Sequence, residues 1–235
     1  MFSWFAFFRH PQPEARIDDR ERETLSARLR GIPGMREALV FTPTPDAVAH
    51  PFPDDEPAPM LALQLRFDAI AAMEAALGTE GALRSLAAGE ALPDTLRGAA
   101  ATHQAMLTRP FPAPNPALQT PQGELPCSYL VHYPGAADDL NAWLAYYLAH
   151  HPGLMARFPG VRQIEIYTCI DWCDALSWPR EAMFQRNKLV FDTPAALSAG
   201  LLAPAIRDMR ADYHQFPSFT GGNVHYPMTT RSIVP

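Results

Sequence analysis

Apolar and polar positions along the chain fall into short alternating runs separated by stretches of helical period, and the same order of elements occurs twice. In the first half, FSWFAFFR (2–9) reads as an aromatic-rich strand, IDDRERETLSARLRGIPG (17–34) as a helix closed by glycine and proline, and MREALVFTP (35–43) as a second strand. MLALQLRF (60–67) alternates as a third strand, DAIAAMEAAL (68–77) follows as a helix with Asp68 placed to cap it, and THQAMLTRPF (102–111) supplies a fourth strand after a further helical stretch. In the second half, CSYLVHY (127–133) is a strand, DDLNAWLAYYLAHH (138–151) a helix, and RQIEIYTCIDWC (162–173) and RNKLVFD (186–192) are strands. TPAALSAGLLAPAIRDMRADYHQF (193–216) is helical, and NVHYPMTT (223–230) is the last strand.

Both halves therefore read β-α-β-β-α-β, the order of a four-stranded antiparallel sheet with helices on one face. The bare face of such a sheet needs a partner, and a second copy in the same chain supplies one. The expected fold is α+β: two tandem ferredoxin-like repeats whose antiparallel sheets pack face to face as an intrachain dimeric α/β barrel. Prolines cluster at 42–59 and 109–126, and proline breaks helix and strand alike. The second cluster marks a linker over 113–126, between an N-terminal repeat (1–112) and a C-terminal repeat (127–235). Two fused repeats replace the dimer a single repeat would need, so a monomer or a homodimer is expected.

The chain has 235 residues, 48% of them hydrophobic, enough for a real core. Its net charge of -6 and lack of a basic run argue against a nucleic-acid partner. Its N-terminus, MFSWFAFFRHPQPE, has no basic lead, and no apolar run reaches about 18 residues, so no membrane partner is expected and a cytoplasmic, bacterial-type protein is the default. The three cysteines, Cys127, Cys169 and Cys173, show no metal-ligand pairing and fit a reducing compartment. No nucleophile elbow or phosphate-binding glycine motif is present; the Gly221-Gly222 pair reads as a turn, and Trp4, Phe5, Phe7 and Phe8 read as core.

Two places carry candidate chemistry. In the helix of 138–151, Leu140, Trp143, Leu144, Tyr147, Leu148 and His151 share one face, which puts His151 on the buried stripe. Pro152 then disfavours helical geometry at His151, so the helix should end at the histidine pair. In the strand of 162–173, Gln163, Glu165, Tyr167, Cys169 and Asp171 share one face and Ile164, Ile166, Thr168 and Ile170 the other. The isoleucines should meet the helices, leaving the carboxylates facing the opposite sheet, where they need partners such as Lys188, His132 or His225. That face is either a polar network or a pocket using His132, Tyr167 and His225.

The second half resembles the EthD-like family of the dimeric α/β barrel superfamily. The residues that carry the resemblance are the strand CSYLVHYPG, Tyr146 and Tyr147 leading to His150, Pro152 and Leu154, the glycine-led strand from Gly160, and FDTPAA (191–196) entering the second helix. The first half matches only in its order of elements and in RGIPGMREALVF, which parallels ARFPGVRQIEIY. The resemblance implies a small hydrophobic or aromatic ligand in the second half, held between sheet and helices by His150, Tyr147 and Trp143. It points to His150 as the proton acceptor, with Trp143 and Tyr147 as candidate binding residues; His151 from the helical period and His132, Tyr167 and His225 from the strand alternation are further candidates. Members of the superfamily include cofactor-free oxygenases, isomerases, cyclases and haem enzymes. A cofactor-independent enzyme of the oxygenase, isomerase or cyclase type, with no metal and no cofactor, leads; a non-catalytic binding or accessory protein is the alternative.

Overall fold

Local chemistry sets the element ends in the computed structural model, which describes residues 1–44, 48, 57–90 and 92–235. Part of the first proline cluster lies outside the described residues. The first strand, β1 (Phe2–Arg9), leads to helix α1 (Asp19–Arg30). Asp18 and Glu21 form a reciprocal capping box there, a device worth about 1 kcal/mol. Strands β2 (Met35–Pro43) and β3 (Leu61–Phe67), helices α2 (Ile70–Leu77) and α3 (Ala82–Ala87) and strand β4 (Ala100–Phe111) complete the first half. The second half holds β5 (Cys127–Tyr133), α4 (Leu140–Met155), β6 (Val161–Cys169), β7 (Gln185–Phe191), α5 (Pro194–Leu201), α6 (Ala205–Tyr213) and β8 (Val224–Ile233).

Four local expectations are corrected. Asp68 does not cap α2: the cap position is Ala69, without a side-chain bond, because Asp68 is drawn off to Arg36 at 3.0 Å. Helix α4 runs through Pro152 to Met155, since the turn after the proline is tied by Met155 and Phe158 packing into the core. The helical region of 193–216 splits into α5 and α6 around Pro204, which has no N–H to continue the ladder. Strand β6 ends at Cys169, and the chain beyond it leaves the sheet so that Trp172, Leu176 and Trp178 can pack onto the first half.

The strands close into a single antiparallel barrel in the order β1-β3-β2-β8-β5-β7-β6-β4. Each half contributes four neighbouring strands, and the halves join through the β2–β8 and β4–β6 pairs, so no strand edge is left open. After Gly34 and Gly160, both at positive φ, β2 and β6 each carry a register shift against their hairpin partners.

Alternation explains why β1 is apolar at consecutive positions. Trp4, Ala6 and Phe8 face the helices of the first half, while Phe5 and Phe7 point into the barrel. The barrel interior is packed by Phe5, Phe7, Phe41, Tyr167, Tyr226 and Met228, as side chains fill an eight-stranded barrel. Outside the barrel, the strands and the helices that cover them leave room for a ligand.

Candidate functional site

Such a space exists in the second half, as a cavity of about 380 Å³ between β5, β7 and β8 and helices α4 to α6. That size lies within the range for small-molecule sites. Met155, Phe158, Leu189, Leu201 and Ile206 form an apolar wall; Tyr133, His151, Asn187, Asn223 and His225 form a polar one. A larger hollow of about 600 Å³ lies by β2 and β8 with Arg16 and Arg22 on its border. Arg16 there bonds the backbone carbonyls of Pro13 and Ala15, and Arg22 bonds that of Ile17 and the Asp19 carboxylate, so both guanidiniums are already engaged by their own chain.

His151 is the chemical centre of the first cavity. It is 4% exposed, and its Nδ1 donates to Asp212 Oδ2 at 2.7 Å; Tyr146 OH donates to the other carboxylate oxygen at 3.0 Å. This chain fixes the tautomer, because with the proton on Nδ1 the neutral ring presents an unprotonated Nε2. Burial pushes the imidazole below its ordinary pKa and Asp212 only partly offsets this, so the ring stays neutral near neutral pH. A neutral, oriented imidazole backed by a carboxylate is a proton acceptor.

The surrounding aromatics hold that ring in place. Tyr147 packs against His151 with centroids 4.7 Å apart and stacks on Trp143 at 4.8 Å, and Phe216 meets His151 edge-on at 5.0 Å. The Tyr147 hydroxyl accepts from Asn187 Nδ2 at 2.6 Å, while Asn187 Oδ1 is buried without a hydrogen bond among the described residues. On β8, His225 Nε2 accepts from Asn223 at 3.3 Å and its ring stacks on Tyr129. Burial raises the Tyr133 and Tyr147 hydroxyls above the ordinary phenol range, keeping both protonated as donors.

The residues singled out in the sequence separate into three groups. His151 and His225 line the cavity, with Tyr147 directly behind His151 and Trp143 behind Tyr147. His150 is on the exposed side of α4, outside the cavity, with its Nδ1 bonded to the Tyr146 carbonyl at 2.8 Å. His132 and Tyr167 are inside the barrel, on the opposite face of the sheet from His225, so the three do not form one pocket. Strand parity separates them: His225 pairs with Val131 on the helix side, one residue away from His132.

The barrel face of β6 is a polar network. Glu165 accepts from Lys188 at 2.8 Å, from Arg66 at 2.7 Å and from Tyr167 OH at 2.6 Å. Burial pushes the Glu165 carboxyl up, but Lys188 and Arg66 override it and hold it at about 2. His132 Nδ1 accepts from Arg186 at 2.7 Å, and burial together with that guanidinium drives it well below the ordinary histidine range.

Asp212, Asn187, Tyr133 and Asn223 were not foreseen. Asn187 had a visible signal, as a polar residue on the helix-facing parity of β7, where Leu189 and Phe191 are apolar. Asp212 had none, since 61 residues separate it from His151.

No family model matches the chain, and no curated protein matches it. Solved structures do. A protein described as anthrone oxidase-like aligns with 99% of this chain and 93% of its own at TM-score 0.61 and 13% identity. Putative monooxygenases from Fusobacterium nucleatum (TM-score 0.56, 7% identity, 99% and 93% covered) and Lactobacillus acidophilus (TM-score 0.53, 10% identity, 99% and 95% covered) align similarly. At these identities the likeness shows the fold, an α+β barrel shared with these proteins. Among the described residues no helix is long and apolar enough to cross a membrane, and no three His, Cys, Asp or Glu side chains are grouped to hold a metal ion.

Proposed function

We propose that this is a cofactor-independent enzyme acting on a small phenolic aromatic compound, with dioxygen as co-substrate and His151 as the proton acceptor. The reading rests on one observation: a buried His151, oriented by Asp212, on the wall of a largely apolar cavity. His151 Nε2 takes a proton from a phenol or from a carbon acid beside a carbonyl, and Asp212 stabilises the imidazolium. The electron-rich anion then reduces dioxygen; for a methylene flanked by aromatic rings, one dioxygen gives a carbonyl and water. The described names of the structural neighbours, anthrone oxidase-like and monooxygenase, favour oxidation over isomerisation or cyclisation.

The EthD-like resemblance belongs to the same proposal, with His151 in the role first assigned to His150. So does the division into ferredoxin-like repeats at 1–112 and 127–235, which the matching strand order of the two halves and their matching glycine and register shift support.

The test is oxygen uptake and quinone absorbance with 1,8-dihydroxyanthrone. We expect His151→Ala to lose at least about 10²-fold in turnover, the ordinary contribution of a general base, and His150→Ala to stay near wild type. Equal turnover by wild type and His151→Ala overturns the assignment. Tight binding without oxygen uptake favours instead a protein that sequesters the aromatic compound.

A further inference from the structure

The first half has a counterpart of the cavity, and we infer that the chain fills it with its own Trp178 as an internal aromatic ligand. The correspondence follows from strand register. Phe2 pairs with Phe67 as Cys127 pairs with Phe191, and Ala6 pairs with His103 as Val131 pairs with His225. Trp4, Phe8 and His103 thus stand where Tyr129, Tyr133 and His225 stand around the open cavity.

Trp178 sits among those three. Its ring stacks on Trp4 with centroids 6.3 Å apart and planes at 14°, and it meets Phe8 edge-on at 5.2 Å. Its backbone carbonyl accepts from His103 Nε2 at 3.1 Å, while His103 Nδ1 accepts from Trp4 Nε1 at 3.0 Å. Trp172 closes on the edge of the same histidine at 6.2 Å.

The segment that delivers these tryptophans is fastened to the first half along its length. Ala175 N–H bonds the Leu77 carbonyl at 2.9 Å, Ser177 Oγ bonds that of Ala87 at 3.0 Å, and His103 exchanges backbone bonds with Pro179 and Glu181. The first half also has no base at the position that matches His151. Counting back from the matching glycines Gly34 and Gly160, the position of His151 is held by Leu25, which is fully buried.

Trp178 therefore displays the ligand chemistry that the open site takes: a flat ring system of about two fused rings, stacked on Tyr129 and edged by Tyr133, beside His225. A chain has one open site of this kind and one occupied by itself. This rests on the repeat relationship proposed above and is independent of His151, whose substitution leaves the count of sites unchanged.

The experiment is calorimetric titration of 2-naphthol, a two-ring phenol, into wild type, Trp178→Ala and Tyr129→Ala. One molecule per chain is expected for wild type and two for Trp178→Ala, with at least a tenfold weaker affinity for Tyr129→Ala. A stoichiometry that Trp178→Ala does not raise above that of wild type overturns the inference, and unchanged affinity in Tyr129→Ala overturns the pose. If Trp178→Ala is unfolded alone, 2-naphthol must restore its circular dichroism saturably; failure to do so also overturns it.

Discussion

At the scale of single residues, two adjacent histidines differ in burial: His151 is 4% exposed and His150 lies on the exposed side of α4. Helical period placed His151 on the apolar face of α4, and the structure keeps it there; the family pattern drew attention to His150, which is exposed and bonded to its own helix. Periodicity was the better guide because the helix continues through Pro152 and does not stop at the pair. The role of Asp212 can be separated from mere packing by a pH profile. Burial lowers the His151 pKa and Asp212 opposes that shift, so the acid limb of kcat/KM should lie below the ordinary histidine value of about 6.5. In Asp212→Asn the limb should move further to acid while kcat falls by about 10²-fold or more, because the tautomer is no longer fixed. A fall in rate with an unmoved limb would leave Asp212 as scaffolding only.

At the scale of elements, the cavity mouth depends on two loops that approach at backbone distance. Gly135 and Gly221 both have φ of +83° to +85°, and a Cβ on Gly221 would lie 2.4 Å from the Pro134 carbonyl oxygen. The contact is secured by reciprocal bonds between Ala136 and Thr220 and by Asp138 N–H to the Ser218 carbonyl. Gly221→Ala meets both penalties, positive φ and a backbone clash, and should destabilise the fold by about 1–3 kcal/mol, read as a lowered urea midpoint; an unchanged midpoint would show that the loops can separate freely. The sequence marked Gly221-Gly222 as a turn but not as this contact, since the partner loop is more than 80 residues away. The strands were legible because alternation is local, and so was the parity of β6; the face of His225 on β8 was misread, since it pairs with Val131 on the helix side. The end of β6 was not legible, because what removes residues 170–184 from the sheet is the distant surface of the first half, which takes up Trp172 and Trp178.

At the scale of the whole molecule, closure of the barrel buries a charge cluster that the alternation of 162–173 anticipated on one side only. Lys188 was foreseen as a partner for a β6 carboxylate, whereas Arg66 comes from β3 across the barrel and could not be placed from sequence. Removing one member of such a cluster leaves buried charge uncompensated, which costs about 3–5 kcal/mol, so Glu165→Gln should lose a large part of the stability of the protein. Replacing Glu165 and Lys188 together with Gln and Met should cost less than the sum of the single changes, because the uncompensated ammonium is gone. The cluster also fixes a pH dependence. The folded Glu165 carboxyl sits at about 2, below its ordinary 4.5, so the unfolded chain takes up that proton first as pH falls. Its contribution is complete above about 4.5 and is lost as pH drops toward 2. The lowered pKa values of His103, His132 and His151 act with the same sign at higher pH, removing stability as pH falls through about 6.5 and below. Urea midpoints measured from pH 7 to 2.5 should therefore decline in two stages in wild type. Glu165→Gln should keep the upper stage and lose most of the lower one, and an unaltered lower stage in that variant would show that the acid sensitivity comes from other carboxylates.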